Sequence, residues 1–220
     1  MEAQQPPSPS AAPAAYPVRY SVDYPDRDLN RLTSAFRLFT VIPIAIVAGT
    51  VGAGSLSVTA GHHGTYGAAG AGGVLVLGPL LMILFRKKYP RWWFDWNLEL
   101  LRFQARVGVY FGLMTDTYPS TDEHQSVHLD IDYPDVERDL GRGMPLVKWL
   151  LAIPHYLVLI ALYIGAIFAV IGAWFAILFT GRFPRGLFDY LVGVGRWHNR
   201  VVGYAVVMAT DAYPPFSLNP

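Results

Sequence analysis

The sequence predicts a mainly α-helical membrane protein that crosses the bilayer four times, in two transmembrane hairpins. Composition is the first reason: 53% of the 220 residues are hydrophobic and only 15% are charged, whereas soluble domains carry about 25% charged residues. The second is the placement of the charges. Neither Asp, Glu, Lys nor Arg occurs from Val41 to Phe85 or from Trp149 to Gly181. These tracts of 45 and 33 residues exceed the roughly 20 residues that one helical crossing requires.

The chain begins with a segment rich in Pro, Ala, Ser and Gln, over residues 1–17. It lacks the basic start and apolar centre of a signal peptide, so we expect a disordered cytoplasmic tail. Apolar and polar residues then alternate over 18–22, and again over 127–131, which is typical of strands. Because each strand is too short to be stable alone, we expect the two to pair into a small cytoplasmic β element.

Each apolar tract is interpreted as one hairpin. The first hairpin, at about 36–86, has crossings near 36–58 and 68–86, linked by the turn-prone segment from Gly61 to Gly67. The second, at about 145–182, has crossings near 145–163 and 166–182 and turns at Gly165. As a single helix the second tract is ~50 Å long, which exceeds the hydrocarbon thickness. A row of small residues four positions apart, from Ala161 to Ala173, favours that single helix instead.

Charge placement favours the hairpin interpretation. With two hairpins, all 17 Lys and Arg residues lie on one side of the membrane, whereas a single second crossing leaves basic flanks on both sides. The excess of cations in cytoplasmic segments therefore places both termini in the cytoplasm. The predicted location is the bacterial plasma (inner) membrane, with multiple crossings.

An amphipathic helix is expected after each hairpin, at about 92–113 and 186–208, lying along the cytoplasmic interface. Each helix carries one acidic and two basic residues on a single face, since steps of seven and eleven residues nearly complete whole turns. These six residues are Asp95, Arg102, Arg106, Asp189, Arg196 and Arg200. Aromatic side chains suited to the headgroup layer accompany them, namely Trp92, Trp93, Trp96 and Trp197.

Two interpretations of the arginine pairs remain open. Arginines four residues apart repel one another unless an anion lies between them. That anion is either a lipid phosphate, which makes the pair a binding site, or a carboxylate of the protein itself, which makes it an internal clasp. The internal clasp is favoured, because acidic residues recur beside the arginines in both halves of the chain. The candidates are Asp23, Asp26, Asp116, Asp132, Asp135 and Asp211.

The two halves of the chain repeat the same motifs in the same order. Residues 18–26 match 127–135, the Ile-Pro dipeptides ending at Pro43 and Pro154 correspond, and Asp-x-Tyr-Pro occurs at 116–119 and 211–214. We therefore predict two tandem repeats, over 18–120 and 121–220. Each repeat runs from strand to hairpin to interfacial helix, and an even number of crossings keeps both repeats in the same orientation.

Three motifs carry a resemblance to a known family. They are Phe-Pro-Arg-Gly-Leu-Phe-Asp-Tyr at 183–190, Gly-Arg-Trp-His-Asn-Arg-Val at 195–201 and Asp-Ala-Tyr-Pro-Pro-Phe at 211–216. Together they resemble the bacterial membrane family called domain of unknown function 4389, which the duplication places here in two tandem copies. The resemblance implies a bacterial membrane protein and brings no established activity or catalytic residue.

Function is predicted from what the motifs include and omit. Catalytic, metal-binding and cofactor-binding motifs are absent from the sequence, so we expect a non-enzymatic scaffold, accessory subunit or lipid-contacting protein, without cofactor. One alternative is a small transporter or lipid-handling accessory that uses kinked crossings and His155, an ionisable group inside a predicted crossing. A lipid-modifying enzyme built from Asp and Arg residues is a further alternative.

The expected partners are membrane lipids. Rows of small residues, such as Ala45, Gly49 and Ala53, also suit contact with other membrane proteins or with a second copy of the chain. The net charge of +1 gives no reason to expect nucleic acid as a partner.

Overall fold

The computed structural model of the protein describes residues 16–51, 57–58, 66–67 and 71–220. The predicted tail lies outside these residues except for Tyr16 and Pro17, and so does most of the link from Gly61 to Gly67. In chain order the elements are β1 (Val18–Val22), α1 (Arg31–Ala35), α2 (Arg37–Thr40), α3 (Ile42–Val51), β2 (Ser57–Val58), β3 (Tyr66–Gly67), α4 (Ala71–Arg86), α5 (Arg91–Phe111), β4 (Val127–Ile131), α6 (Val136–Asp139), α7 (Met144–Leu151), α8 (Ile153–Thr180) and α9 (Arg185–Ala205).

The two strands predicted from the alternating pattern form an antiparallel ribbon. β1 pairs with β4, and the central pair, Tyr20 opposite Leu129, joins positions that the sequence motifs equate. Val18 lies opposite Ile131 and Val22 opposite Val127, so the register is symmetric about the central pair. The prediction that these segments pair is confirmed, as is the mainly helical composition of the fold.

Helices cover one face of the ribbon and leave the other face polar. The apolar residues of β1 and β4 point inward, while Arg19, His128 and Asp130 are exposed on the opposite face. α9 approaches β1 closely at Gly195 and Gly203, where a Cβ atom would meet Tyr20 and Val18. α5 packs against β4. The ribbon therefore rests on α5 and α9.

α9 packs against α8 on the side that faces away from the ribbon. The two helices are antiparallel: Trp197 of α9 contacts His155 near the start of α8, and Leu187 lies beside Gly172 near its end. The molecule thus has three layers, with the ribbon on one side, α5 and α9 in the middle and α8 on the other side.

The predicted second hairpin is wrong, because α8 is one continuous helix of 28 residues. Gly165 is not a turn residue. It allows the Tyr190 ring of α9 to lie against α8, where the Tyr190 hydroxyl donates a hydrogen bond to the Leu162 carbonyl at 2.9 Å. Ala169 and Ala173 are buried on the same helix face. This row of small residues therefore allows close approach of α9 along an uninterrupted helix.

The prediction of four crossings is also wrong. In the residues that the structure describes, the first tract forms separate helices, and its apolar stretches Arg37–Gly49 and Leu77–Arg86 are shorter than one crossing requires. Within the described part of the chain, α8 is the one helix that is long and apolar enough to cross a membrane. Without a second hairpin, the cations no longer fall on one side, so the argument for multiple crossings and cytoplasmic termini loses its basis.

Candidate functional site

The outer face of α8 exposes a continuous row of large apolar side chains. Only 17% of its most apolar 18-residue window is buried, whereas a core helix of a soluble protein would be mostly buried. The exposed residues recur every three or four positions, apart from one adjacent pair. They are Leu157, Ile160, Ile164, Ile167, Phe168, Ile171, Phe175 and Phe179. We call this row the apolar outer face.

α2 and α3 extend the exposed apolar surface beside the end of α8. Leu38 and Phe39 line a cavity of about 460 Å³ together with Ile171 and Phe175. Leu38 also lines a second depression with Ile42 and Ile46 of α3. The surface is therefore broader than one helix, and patches of this kind mark sites of contact with membranes or other proteins.

A buried cation fixes the start of the second apolar tract. The Lys148 ammonium, fully buried on α7, donates a hydrogen bond to the Thr210 carbonyl and pairs with the Asp211 carboxylate, both at 2.7 Å. It also lies 5.3 Å from the centre of the Tyr204 ring. Burial lowers the pKa of Lys148, and the carboxylate of Asp211 acts against that shift.

Arg37 makes the same set of contacts at the start of the first apolar tract. Its guanidinium donates to the Thr115 carbonyl at 2.8 Å, pairs with the Asp116 carboxylate at 2.6 Å and stacks 4.0 Å from the centre of the Tyr110 ring. We call these two arrangements the cation clasps. Sequence reasoning missed them, although Arg37 and Lys148 each stand six residues before a proline, Pro43 or Pro154.

The arginines predicted to bind an anion or form an internal clasp all donate to backbone carbonyls, and Arg102 also pairs with two carboxylates, those of Glu99 and Asp130. The Arg102 Nε donates to the carbonyl of Leu129 in β4 at 2.8 Å, and the Arg196 Nε donates to the carbonyl of Tyr20 in β1 at 3.2 Å. These two acceptors are the central pair of the ribbon. Arg196 also donates to the Leu218 carbonyl at 2.6 Å. Both helices are thus joined to the strands through an arginine.

The second arginine of each pair contacts the segment that follows its helix. Arg106 donates to the Ser120 carbonyl at 2.8 Å, and Arg200 donates to the carbonyls of Ser217 and Asn219 at 3.2 and 2.9 Å. Both guanidinium groups are buried, and the Nε of each has no hydrogen-bond partner among the described residues. Desolvation lowers the pKa of Arg200, and the nearby charge of Arg196 acts in the same direction.

The first arginine pair also lines an open polar cleft of about 620 Å³. Two carboxylates already contact Arg102, those of Glu99 at 2.6 Å and Asp130 at 2.7 Å, and Asp122 also lines the cleft beside Arg106. Three carboxylates therefore accompany two guanidinium groups, which opposes the capture of a lipid phosphate. Anion binding at these arginines stays a prediction.

The acidic members of the two predicted triads are exposed. The Asp95 carboxylate lies 3.8 Å from the Arg91 guanidinium, one turn earlier on α5. Asp189 has no ion pair to any residue that the structure describes. Neither carboxylate pairs with the arginines further along its own helix.

The four tryptophans predicted as interface anchors have different surroundings. Trp92 and Trp96 are exposed on α5, and Trp93 is half-buried, with its ring packed at Gly78 of α4. Trp197 lies in the core, where its indole NH donates to His155. Of the four, Trp92 and Trp96 are therefore the two that are exposed.

His155 lies in the first turn of α8 and is fully buried. Its Nδ1 accepts a hydrogen bond from the Trp197 indole at 3.0 Å, so the proton of the neutral ring is on Nε2. That Nε2 has no partner among the described residues. The ring stacks on Phe216 with centres 4.1 Å apart and contacts Tyr213. The contacts join the start of α8 to the C-terminal segment, and a role in a transport pathway stays a prediction.

An apolar groove separates α5 from α8 and α9. Its volume is about 550 Å³, and residues of all three helices form its walls. Tyr163 of α8 and His198 of α9 lie along it, with the tyrosine hydroxyl 2.7 Å from the His198 Nδ1. Sequence reasoning did not predict this groove, because it depends on the straight course of α8 beside α9.

Residues 144–217 match the model of one protein family, described as a domain of unknown function, DUF4389. The match begins with α7 and ends in the C-terminal segment, so it includes α8, α9 and the second cation clasp. It covers the part of the chain in which the three motifs lie, and a second tandem copy is not matched. No curated protein and no solved structure matches the chain.

Proposed function

We propose that the protein is a non-enzymatic membrane protein that contacts lipid through the apolar outer face and presents the ribbon to water. The observation that carries this proposal is the combination of length, hydropathy and exposure in α8. The helix has a mean hydropathy of 2.5 over its most apolar window, yet most of that window is not buried by the protein. Embedding eight half-exposed side chains in lipid is favourable by on the order of 10 kcal/mol.

We further propose that α8 lies along the membrane surface. α9 runs antiparallel to α8, and its Tyr190 contacts α8 at Gly165, close to the middle of α8. If α8 crossed the bilayer at a right angle, the exposed neighbour Asp189 would be carried near the bilayer centre, at a cost of about 3 kcal/mol or more. An orientation along the surface leaves Asp189 and the ribbon in water and places the apolar outer face in lipid.

The cation clasps support a scaffold that keeps this surface in place. Each clasp joins the start of an apolar tract to the segment that follows α5 or α9. The duplicated geometry of the clasps and the symmetric register of the ribbon also support the proposal that two tandem repeats built the chain.

The test is the binding of the purified full chain to vesicles of neutral and anionic phospholipid. We expect the Ile164→Asp, Phe168→Asp double variant to lose at least about tenfold in vesicle partitioning, because both side chains are central in the apolar outer face. The control, Ser21→Asp, introduces a carboxylate on the exposed face of the ribbon and should bind as the unmodified chain does. Equal loss in both variants, or a wild-type chain that stays dissolved without detergent and ignores vesicles, would overturn the proposal.

A further inference from the structure

We propose that the groove between α5, α8 and α9 binds a neutral acylglycerol, a lipid with an acyl chain and an uncharged hydroxyl or ester head. This inference rests on the proposed function, because the ligand would enter from the membrane. The groove volume of about 550 Å³ is within the roughly 300–1,000 Å³ typical of small-molecule sites.

The groove opens onto the apolar outer face. Ile167 and Ile171 form part of its α8 wall and are also exposed on that face. A lipid in the bilayer can therefore reach the groove without passing through water. This continuity favours a lipid over a ligand that is dissolved in water.

A neighbouring cavity extends the apolar space of the groove. It adjoins the cavity of about 460 Å³ at α1 and α2, and the two share Phe111, Val170 and Ile171 in their walls. The second cavity leads on to Leu38 and Phe39. Two adjoining apolar cavities suit a ligand with an extended acyl chain better than a compact, ring-shaped ligand.

The polar groups of the groove select an uncharged head. Gln104 lines it and has no hydrogen-bond partner among the described residues. Asn199, also in the lining, donates to the Gly195 carbonyl at 2.8 Å, which leaves its side-chain oxygen available as an acceptor. The lining of this groove contains no Asp, Glu, Lys or Arg, and desolvation lowers the pKa of its histidine, His198, which favours the neutral ring. A phosphate or carboxylate head would therefore be desolvated without a counter-charge.

A glycine in the groove offers a way to block it. A Cβ atom at Gly108 would meet nothing within 4 Å, and Gly108 lines the groove, so a side chain can start there without a backbone clash and Gly108→Leu adds bulk to the site. Gly186 of α9 is a matched control. A Cβ atom there also meets nothing within 4 Å, and the residue is absent from the lining.

The experiment titrates the full chain in detergent with 1-oleoylglycerol and follows the thermal unfolding midpoint. We expect saturable stabilisation of the wild type and of Gly186→Leu, and a dissociation constant at least about tenfold higher for Gly108→Leu. Gln104→Leu should weaken binding by about five- to tenfold, because it removes a hydrogen bond to the head. Parallel titrations use oleate and oleoyl phosphatidylglycerol, which we expect to bind at least about tenfold more weakly.

The inference is overturned if Gly108→Leu binds 1-oleoylglycerol as well as Gly186→Leu does, or if the anionic lipids bind as tightly as the neutral one. Vesicle binding separates this result from failure of the proposed function. Gly108→Leu should still bind vesicles, because the apolar outer face is intact. A wild-type chain that binds vesicles but not 1-oleoylglycerol refutes the groove inference alone, and one that fails to bind vesicles refutes both.

Discussion

Lys148 and Asp211 form a buried ion pair, and its contribution to the stability of the fold depends on the presence of both partners. The lysine is fully buried and the carboxylate is mostly so. Burial of a cation is expensive, and removal of its partner leaves that cost without compensation. The pair therefore makes the junction of α7 with the C-terminal segment sensitive to single substitutions.

We predict that Asp211→Asn lowers the free energy of unfolding by about 3–5 kcal/mol, because Lys148 loses its counter-charge. Urea unfolding in detergent, followed by tryptophan fluorescence, measures this change. Asp189→Asn serves as the control, since Asp189 is exposed, and should change stability by less than about 0.5 kcal/mol. Equal stability of the two variants would show that the clasp at Lys148 does not stabilise the fold.

Buried tyrosines predict a loss of stability at alkaline pH. Burial raises the pKa of Tyr20 and of Tyr89 above 10, so the folded chain keeps both phenolic protons after the unfolded chain has lost them. The contribution of each tyrosine to stability is therefore full below pH 10 and decreases as the pH rises above 10. The free energy of unfolding, measured from pH 8 to 11, should decline less steeply for Tyr20→Phe and Tyr89→Phe than for the unmodified chain. An equally steep decline in both variants would contradict this prediction.

Most of the groups that accept hydrogen bonds from the lysine and arginine side chains cannot be identified from the sequence. The arginine positions on helices are readable from spacing, and α5 and α9 carry all four. All four donate to backbone carbonyls, which every residue possesses, so side-chain identity does not mark those acceptors; Arg102 also pairs with two carboxylates. Lys148 borders an apolar tract, where the sequence does not distinguish a flanking charge from a buried one, and only the folded chain shows that it is covered.

At the scale of elements, α8 shows why the length of an apolar tract is an incomplete guide. The hairpin prediction assumed that a single helix would have to cross the bilayer, for which ~50 Å is too long even with a strong tilt. A helix that packs on α9 and does not cross the bilayer is not limited in length by the thickness of the hydrocarbon. The strand prediction succeeded because alternation of apolar and polar residues reports directly on a ribbon with one covered face.

Two glycines of α8 give matched tests of its packing on α9. At Gly165 a Cβ atom would collide with the hydrogen-bonded Tyr190 ring, whereas at Gly172 it would make ordinary contact with Leu187 at 3.6 Å. We predict that Gly165→Ala destabilises the protein by about 1–2 kcal/mol, because it displaces the tyrosine. Gly172→Ala should stabilise it by up to about 1 kcal/mol through helix propensity. Thermal unfolding followed by circular dichroism measures both, and the same sign for both substitutions would refute the packing.

At the scale of the whole molecule, polar and apolar surfaces lie on opposite sides. The outer face of the ribbon carries Arg19, Asp132 and His128, with Arg19 paired to Asp132 at 2.6 Å. Two helical layers separate this face from the apolar outer face of α8. Such polarity suits a protein that rests on a bilayer with its ribbon in water. The proposed orientation depends on the order of these layers, which the composition of the sequence does not reveal.

The depth of three positions on α8 tests this orientation most directly. Leu157, Phe168 and Phe179 are eleven residues apart and exposed on the same helix face, and the chain has no native cysteine. Each is replaced in turn by cysteine, labelled with a nitroxide and measured for depth in vesicles by its accessibility to oxygen and to a water-soluble nickel complex. A helix along the surface predicts the same shallow depth for all three, about 5–10 Å below the headgroups. A label at 168 near the bilayer centre, with those at 157 and 179 at opposite surfaces, would contradict the account.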